Sequence, residues 1–305
     1  MKNKSNSKKI LFKKYRCFFC KSQKTNEKTI YKKTFLENNF KINVCINCES
    51  SYTNLIPKNK ESWINLYEHG GSDLRTKKLF FLFRYFYLFL HKLRIFNLYK
   101  INKNIFKHLT PEQSTILDYG TGDGYLPNYF FKFFAEVSAS DIRLDRPPFL
   151  NAGINYYHNN KLNKKKFDVI VLRHVLEHVE DPIDCIEKLS NNLNDGGFFY
   201  IEVPNHDIET NYFLKIFKSN YAQLALPFHI NHFSLKSFYK SFSKKYRILN
   251  YKMEVPVLGE SIKTFFFQKD STLFSFINSV FFPIQIIINF FMSKTSAYAL
   301  ILHKK

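Results

Sequence analysis

Ile116-Leu117-Asp118-Tyr119-Gly120-Thr121-Gly122-Asp123-Gly124 passes from an apolar strand, through one acidic residue, into a loop with three glycines. Glycines there let the backbone turn tightly and approach a ligand closely. In a doubly wound α/β sheet, ligands bind in the crevice at the carboxyl ends of the strands. Asp141 stands at the end of the next predicted strand, where a carboxylate can accept from both hydroxyls of a ribose. Gly120 and Gly122 begin the dinucleotide pattern G-x-G-x-x-G, but its third glycine would fall at Tyr125. The third glycine stands at 124 instead, which argues against a nicotinamide oxidoreductase.

Outward from this loop, short apolar runs alternate with amphipathic segments. Strands are predicted at 115–119, 137–140, 154–158, 167–172, 198–203, 246–253 and 297–302. A helix begins at Asp181-Pro182, an N-cap followed by proline at the first helical position, and is expected to stop at Asn194-Asp195-Gly196-Gly197. Another is expected over 234–243. Alternating strand and helix imply an α/β fold, a doubly wound and mostly parallel sheet with helices on both faces.

The stretch Phe167-Asp168-Val169-Ile170-Val171-Leu172-Arg173-His174-Val175-Leu176-Glu177-His178-Val179-Glu180-Asp181-Pro182 resembles the fourth strand and following turn of the class I S-adenosylmethionine-dependent methyltransferases. The acidic-x-G-x-G-x-G loop resembles their first motif. Glu202-Val203-Pro204-Asn205 is similar to the end of their fifth strand, and Pro227-Phe228-His229-Ile230-Asn231-His232-Phe233-Ser234 to a segment that often precedes the next helix. The resemblance covers about 115–245 well and the C-terminal strand loosely. It implies a seven-stranded Rossmann-like sheet. It also implies that Asp118, Gly120, Thr121, Gly122 and Gly124 line the methionine part of S-adenosylmethionine, that Asp141 holds the ribose, and that Ile142 lies against the adenine. The acidic residue that often binds the adenine amino group is replaced by His158-Asn159-Asn160, so the carbonyl of Asn160 takes its place. Arg173 and His174 should face the methyl donor. For a general base, His229, His178, His174 and His232 are the candidates, His229 first because it lies in a loop before a helix, over the expected substrate mouth. In one branch of the family, positions matching His174, Glu177 and His178 bind a divalent metal, but His174 replaces the acidic residue usual there.

Cys17-Phe18-Phe19-Cys20 and Cys45-Ile46-Asn47-Cys48 form two C-x-x-C pairs. Two such knuckles can surround one structural Zn²⁺ with four thiolates, and so short a segment needs a staple of this kind. A zinc ribbon ahead of a methyltransferase domain resembles bacterial enzymes of surface-polysaccharide and deoxysugar biosynthesis. Glu49 departs from the glycine usual after the second knuckle. The expected division is a basic tail and zinc ribbon over 1–56, a helical linker or cover over 57–112, and the methyltransferase domain over 113–305 with an apolar insertion at about 268–294.

Composition bears on partners. The chain carries 46 Lys+Arg against 25 Asp+Glu, and residues 1–33 alone hold twelve Lys/Arg and one Glu. Lys, Asn, Ile, Phe and Tyr share AT-rich codons, so coding bias accounts for part of this excess. No apolar signal core follows the basic start, and five cysteines do not make a disulfide scaffold. A cytoplasmic location is expected. The apolar segments 79–96 and 273–292 are expected either to pack together over the site or to lie at the inner face of the membrane. Three functions compete: methylation of a small-molecule, sugar or lipid-linked glycan acceptor; methylation of RNA through the basic tail, with nucleic acid the lesser expectation; and binding without catalysis. The methylated atom and the oligomeric state stay open in the sequence.

Overall fold

The computed structural model describes residues 10–21, 27–35, 37–70, 99, 101–162, 165–207, 212–218, 222–253, 258, 261, 274–292 and 294–305. The expected apolar segment 79–96 lies outside these residues.

Seven strands form the central sheet: β6 (Thr115–Tyr119), β7 (Glu136–Asp141), β8 (Asn155–His158), β9 (Phe167–Arg173), β10 (Leu193–Pro204), β12 (Tyr246–Met253) and β13 (Ala297–Lys304). Their order is β12-β13-β10-β9-β6-β7-β8. The pairs from β8 through β10 are parallel. β13 runs antiparallel to both of its neighbours, β10 and β12. Alternate side chains of each strand point to opposite faces. Val169, Val171, Phe198 and Tyr200 enter one buried cluster, with α2 (Tyr125–Phe130) supplying Leu126 and Phe130. Ile170, Leu172, Phe199 and Ile201 enter the other, with α3 (Pro182–Leu189) and α5 (Leu235–Phe242).

The start of α3 is as expected: Asp181 accepts from Asp184 N and Pro182 sits in the first turn. Its end is not. The helix stops at Leu189, and Leu193 is already paired with Phe167. Gly196 takes φ +77° inside the irregularity that separates this first pairing from the regular ladder at Phe198. Asn-Asp-Gly-Gly is therefore a kink within β10, not the end of a helix, because the same residue types serve both purposes.

The described residues between 12 and 57 form a small β-module: β1 (Phe12–Lys14), β2 (Glu27–Phe35), β3 (Asn38–Cys45), β4 (Ser51–Thr53) and β5 (Leu55–Pro57). β1 pairs with β5, so this module runs through residue 56 to 57. α1 (Lys60–Gly70) follows. The other sheet has the order β11-β4-β3-β2, and β11 (Asn231–His232) comes from the far part of the chain. α4 (Tyr212–Phe217) precedes it. α6 (Phe274–Phe291) carries Pro283 inside it. No helix among the described residues is long and apolar enough to cross a membrane.

Candidate functional site

The glycine loop lies across the end of β7. Gly120 N and Thr121 N both donate to Ser140 O, at 2.8 and 2.9 Å. Gly120 has φ +77°, and a Cβ there would stand 2.7 Å from Val175 Cγ2. Gly122 has φ +58°, and nothing lies within 4 Å of where its Cβ would be. The loop is thus closed against the turn after β9 at its first glycine and open at its second. Gly122 N donates to Asp141 Oδ2 at 2.9 Å. The other oxygen, Oδ1, accepts from Arg143 N and Nε, at 3.1 and 3.3 Å, and Arg143 also donates to the Gly122 carbonyl. Sequence reading missed Arg143; its only signal is its place two residues after the acidic strand end. The buried Thr121 hydroxyl stands beside the Asp118 carboxyl and favours its ionised form. Ile142 is exposed. Asn160 is exposed in the turn after β8, whereas its neighbour Asn159 has a buried Oδ1 that accepts from nothing.

Behind the loop, charged groups are linked in a row. Burial pushes the Asp118 carboxyl up to about 7, against the attraction of Arg173. Arg173 Nε donates to Glu202 Oε1 at 3.2 Å. His174, at φ +53°, lies between two carboxylates: Nδ1 is 3.2 Å from Glu177 Oε1 and Nε2 is 3.2 Å from Glu202 Oε1. Burial would lower its pKa, but the two carboxylates outweigh this and raise it to about 9. His174 is therefore an imidazolium at neutral pH with both nitrogens engaged. Burial opposes the ionisation of Glu177 and Glu202, yet their cationic neighbours hold both below the usual carboxylate range. Each keeps a second oxygen buried without a partner. Sequence reading assigned Glu202 no role; a carboxylate near the end of an apolar strand was its signal.

Ile230 N donates to Glu177 O at 2.8 Å, which brings the 229–232 segment to the turn after β9. His229 Nδ1 lies 2.7 Å from Gln223 O, and His178 Nδ1 lies 3.0 Å from Phe228 O. A carbonyl only accepts, so both Nδ1 atoms carry protons. His229 Nε2 is then a lone pair, and burial, with neighbouring imidazoles, holds this ring neutral. The His178 and His229 rings meet edge to face at 4.7 Å. Ligating atoms of Glu177, His178 and His229 lie within 4.8 Å of one another, close enough to share a proton or a cation. His206 and His232 complete the cluster, their rings 4.7 Å apart.

In the β-module, Cys17, Cys20, Cys45 and Cys48 bring their sulfurs within 4.8 Å of one another, and all are free thiols. Cys17 and Cys48 are 3.1 Å apart, and Cys20 and Cys45 are 3.5 Å apart. Four sulfurs about 2.3 Å from one Zn²⁺ would stand about 3.8 Å apart, so a small expansion of this cluster fits the ion. Lys21 and Glu49 follow the two knuckles and take φ +50° and +60°, with Lys21 N and Glu49 N donating to Cys17 O and Cys45 O. The missing glycine at 49 is thus accommodated by a strained residue.

A family model described as "Methyltransferase domain" matches residues 89–245. Among solved structures, the chain is similar to the MccD protein, at 16% identity over 68% of this chain and 97% of that one, with a TM-score of 0.45. It is similar to the YcgJ protein from Bacillus subtilis, at 13% identity over 68% and 97%, TM-score 0.45. It is also similar to the plantazolicin methyltransferase BpumL in complex with SAH, at 16% identity over 70% and 84%, TM-score 0.45.

Proposed function

The chain belongs to the methyltransferase-domain family, and from that premise we propose that it methylates a small-molecule, sugar or glycolipid acceptor, with His229 as the general base. The enzyme is an S-adenosylmethionine-dependent methyltransferase. The bound cofactor supplies an activated methyl group on a sulfonium. The protein must align the acceptor, exclude water and, for a hydroxyl, take a proton.

On this reading Asp118, Gly120, Thr121, Gly122 and Gly124 hold the methionine part. The open side of Gly122, with the Thr121 hydroxyl buried beside Asp118, supports it. Asp141 takes the ribose hydroxyls as Arg143 gives way, and Ile142 covers the adenine. Asn160 accepts from the adenine amine, or its neighbour Asn159 does so with its unused Oδ1. Arg173 faces the methyl donor. The observation that carries the base assignment is the His229 Nδ1–H committed to Gln223 O, which leaves a lone pair at Nε2 on a neutral ring. His178 lies beside it, and His174 contributes a fixed positive charge. The four cysteines hold a structural Zn²⁺. Exposed apolar residues of α6 support a peripheral membrane contact, which suits a lipid-linked acceptor.

Calorimetry with S-adenosylhomocysteine tests the cofactor site: Gly122→Arg and Asp141→Ala should each weaken binding at least about tenfold, and wild-type affinity in both would sink the assignment. Transfer of labelled methyl groups to a fractionated cell extract tests the acceptor. Label is expected among water-soluble metabolites or lipids. Label confined to RNA would favour the basic tail as a nucleic-acid contact instead.

A further inference from the structure

The segment carrying His229 has little structure of its own. β11 is two residues long, and its sheet partner is β4 of the cysteine module, with Asn231 opposite Tyr52 and His232 opposite Ser51. The module grips this segment at several points. Thr53 N donates to Ile230 O at 2.9 Å. Tyr15 donates to the Glu180 carbonyl and contacts Asn231 Oδ1 at 3.0 Å. From the other side, Asn231 Nδ2 donates to Val179 O at 2.6 Å.

The Thr53 side chain is the most informative of these contacts. It is fully buried, and Oγ1 lies 2.9 Å from both His229 O and His232 Nε2. A hydroxyl has one proton, and a carbonyl can only accept. The proton therefore goes to His229 O. Toward His232 the hydroxyl is then the acceptor, so His232 must carry its proton on Nε2. The Nδ1 of His232 is buried without a partner, as a bare acceptor beside the His206 ring.

We propose that Thr53 is a positioning residue of the transfer site: its hydroxyl fixes the tautomer of His232 and pins the main chain at His229, so that the cysteine module forms one wall of the acceptor side. The assignment rests on the reading above that His229 faces the acceptor. The module is then part of the site's geometry as well as a neighbouring fold.

The test uses the full chain with ¹⁵N-labelled histidine, the His232 signals being assigned by their loss in His232→Asn. In the wild-type protein, His232 should show a protonated Nε2 and a bare Nδ1. Thr53→Val keeps the shape and removes the hydroxyl; it should lose this tautomer preference and shift the His229 ring signals. Thr53→Ser should restore both. S-adenosylhomocysteine affinity should stay within about twofold in all three, because the cofactor loop is not touched. A wild-type His232 protonated on Nδ1, or His229 and His232 signals in Thr53→Val unchanged from wild type, would overturn the proposal. If the valine variant loses S-adenosylhomocysteine binding altogether, the wild-type and serine spectra decide. Failure of the wild-type protein to bind S-adenosylhomocysteine would count against the cofactor site alone, and the ring signals would still decide the role of Thr53.

Discussion

At Asp118 a carboxyl buried behind the glycine loop has been pushed up to about 7, so at neutral pH it is only partly ionised. A ligand bringing positive charge to the loop favours the ionised form. S-adenosylhomocysteine affinity should therefore fall by up to about tenfold per pH unit as pH drops below about 7. Calorimetry across this range should show the slope, and Asp118→Asn should flatten it. In the unliganded protein, a pKa raised above the unfolded value makes Asp118 favour the fold at low pH, an effect lost as pH climbs toward 7. His174, raised to about 9, likewise adds stability that is present at neutral pH and lost as pH rises through that value. Gly120→Ala should cost about 2 kcal/mol or more, because left-handed backbone and an overlap with Val175 act together; thermal unfolding reads this. The glycines and Asp141 were legible because backbone geometry and a strand end each demand particular residue types. Arg143 and Glu202 were not, because their roles depend on partners brought close only by the sheet.

Among the elements, α6 has an unusual distribution of polarity. Gln285 and Asn289 are buried, and Gln285 Oε1 accepts from Leu258 N at 3.0 Å. Phe290 and Phe291 are 78% and 79% exposed, and Ile284 and Ile287 are exposed as well. The amides thus face inward together with Phe281 and Ile288, while several other apolar residues face outward. If this face meets lipid, the protein will cosediment with anionic liposomes, high salt will weaken this only partly, and changing Phe290 and Phe291 to Ser will lower the bound fraction severalfold. Full recovery of the wild-type protein in the supernatant would refute the contact. The sequence revealed the helix and the placement of its polar residues but not their direction, because an apolar majority gives no strong periodicity. The regular strands were easier to read, since those buried on both faces are continuous apolar runs. Of the cysteine module's strands, β1, β4 and β5 went unrecognised because three residues leave too short a pattern.

For the whole molecule, one pairing joins distant parts of the chain: β11 belongs to the same sheet as β2, β3 and β4. Cysteine spacing could be read along the chain, whereas a pairing between residues 51–52 and 231–232 leaves no mark in either segment. Purified protein should contain one zinc per chain by elemental analysis. Stripping it should expose residues near both 45–53 and 229–233 to protease, since thiolate sites couple metal to local folding. A stripped protein that resists protease in both places would contradict this coupling. The same pairing bears on the order of events during synthesis. The knuckles leave the ribosome long before residue 231 exists, and at about 5–20 residues per second the wait lasts roughly ten seconds or more. Through that interval β4 has an open edge, of the kind that captures strands from other nascent chains. A chaperone that holds the module during this gap would raise the yield of native protein without changing its final stability, whereas an early-bound metal would raise both.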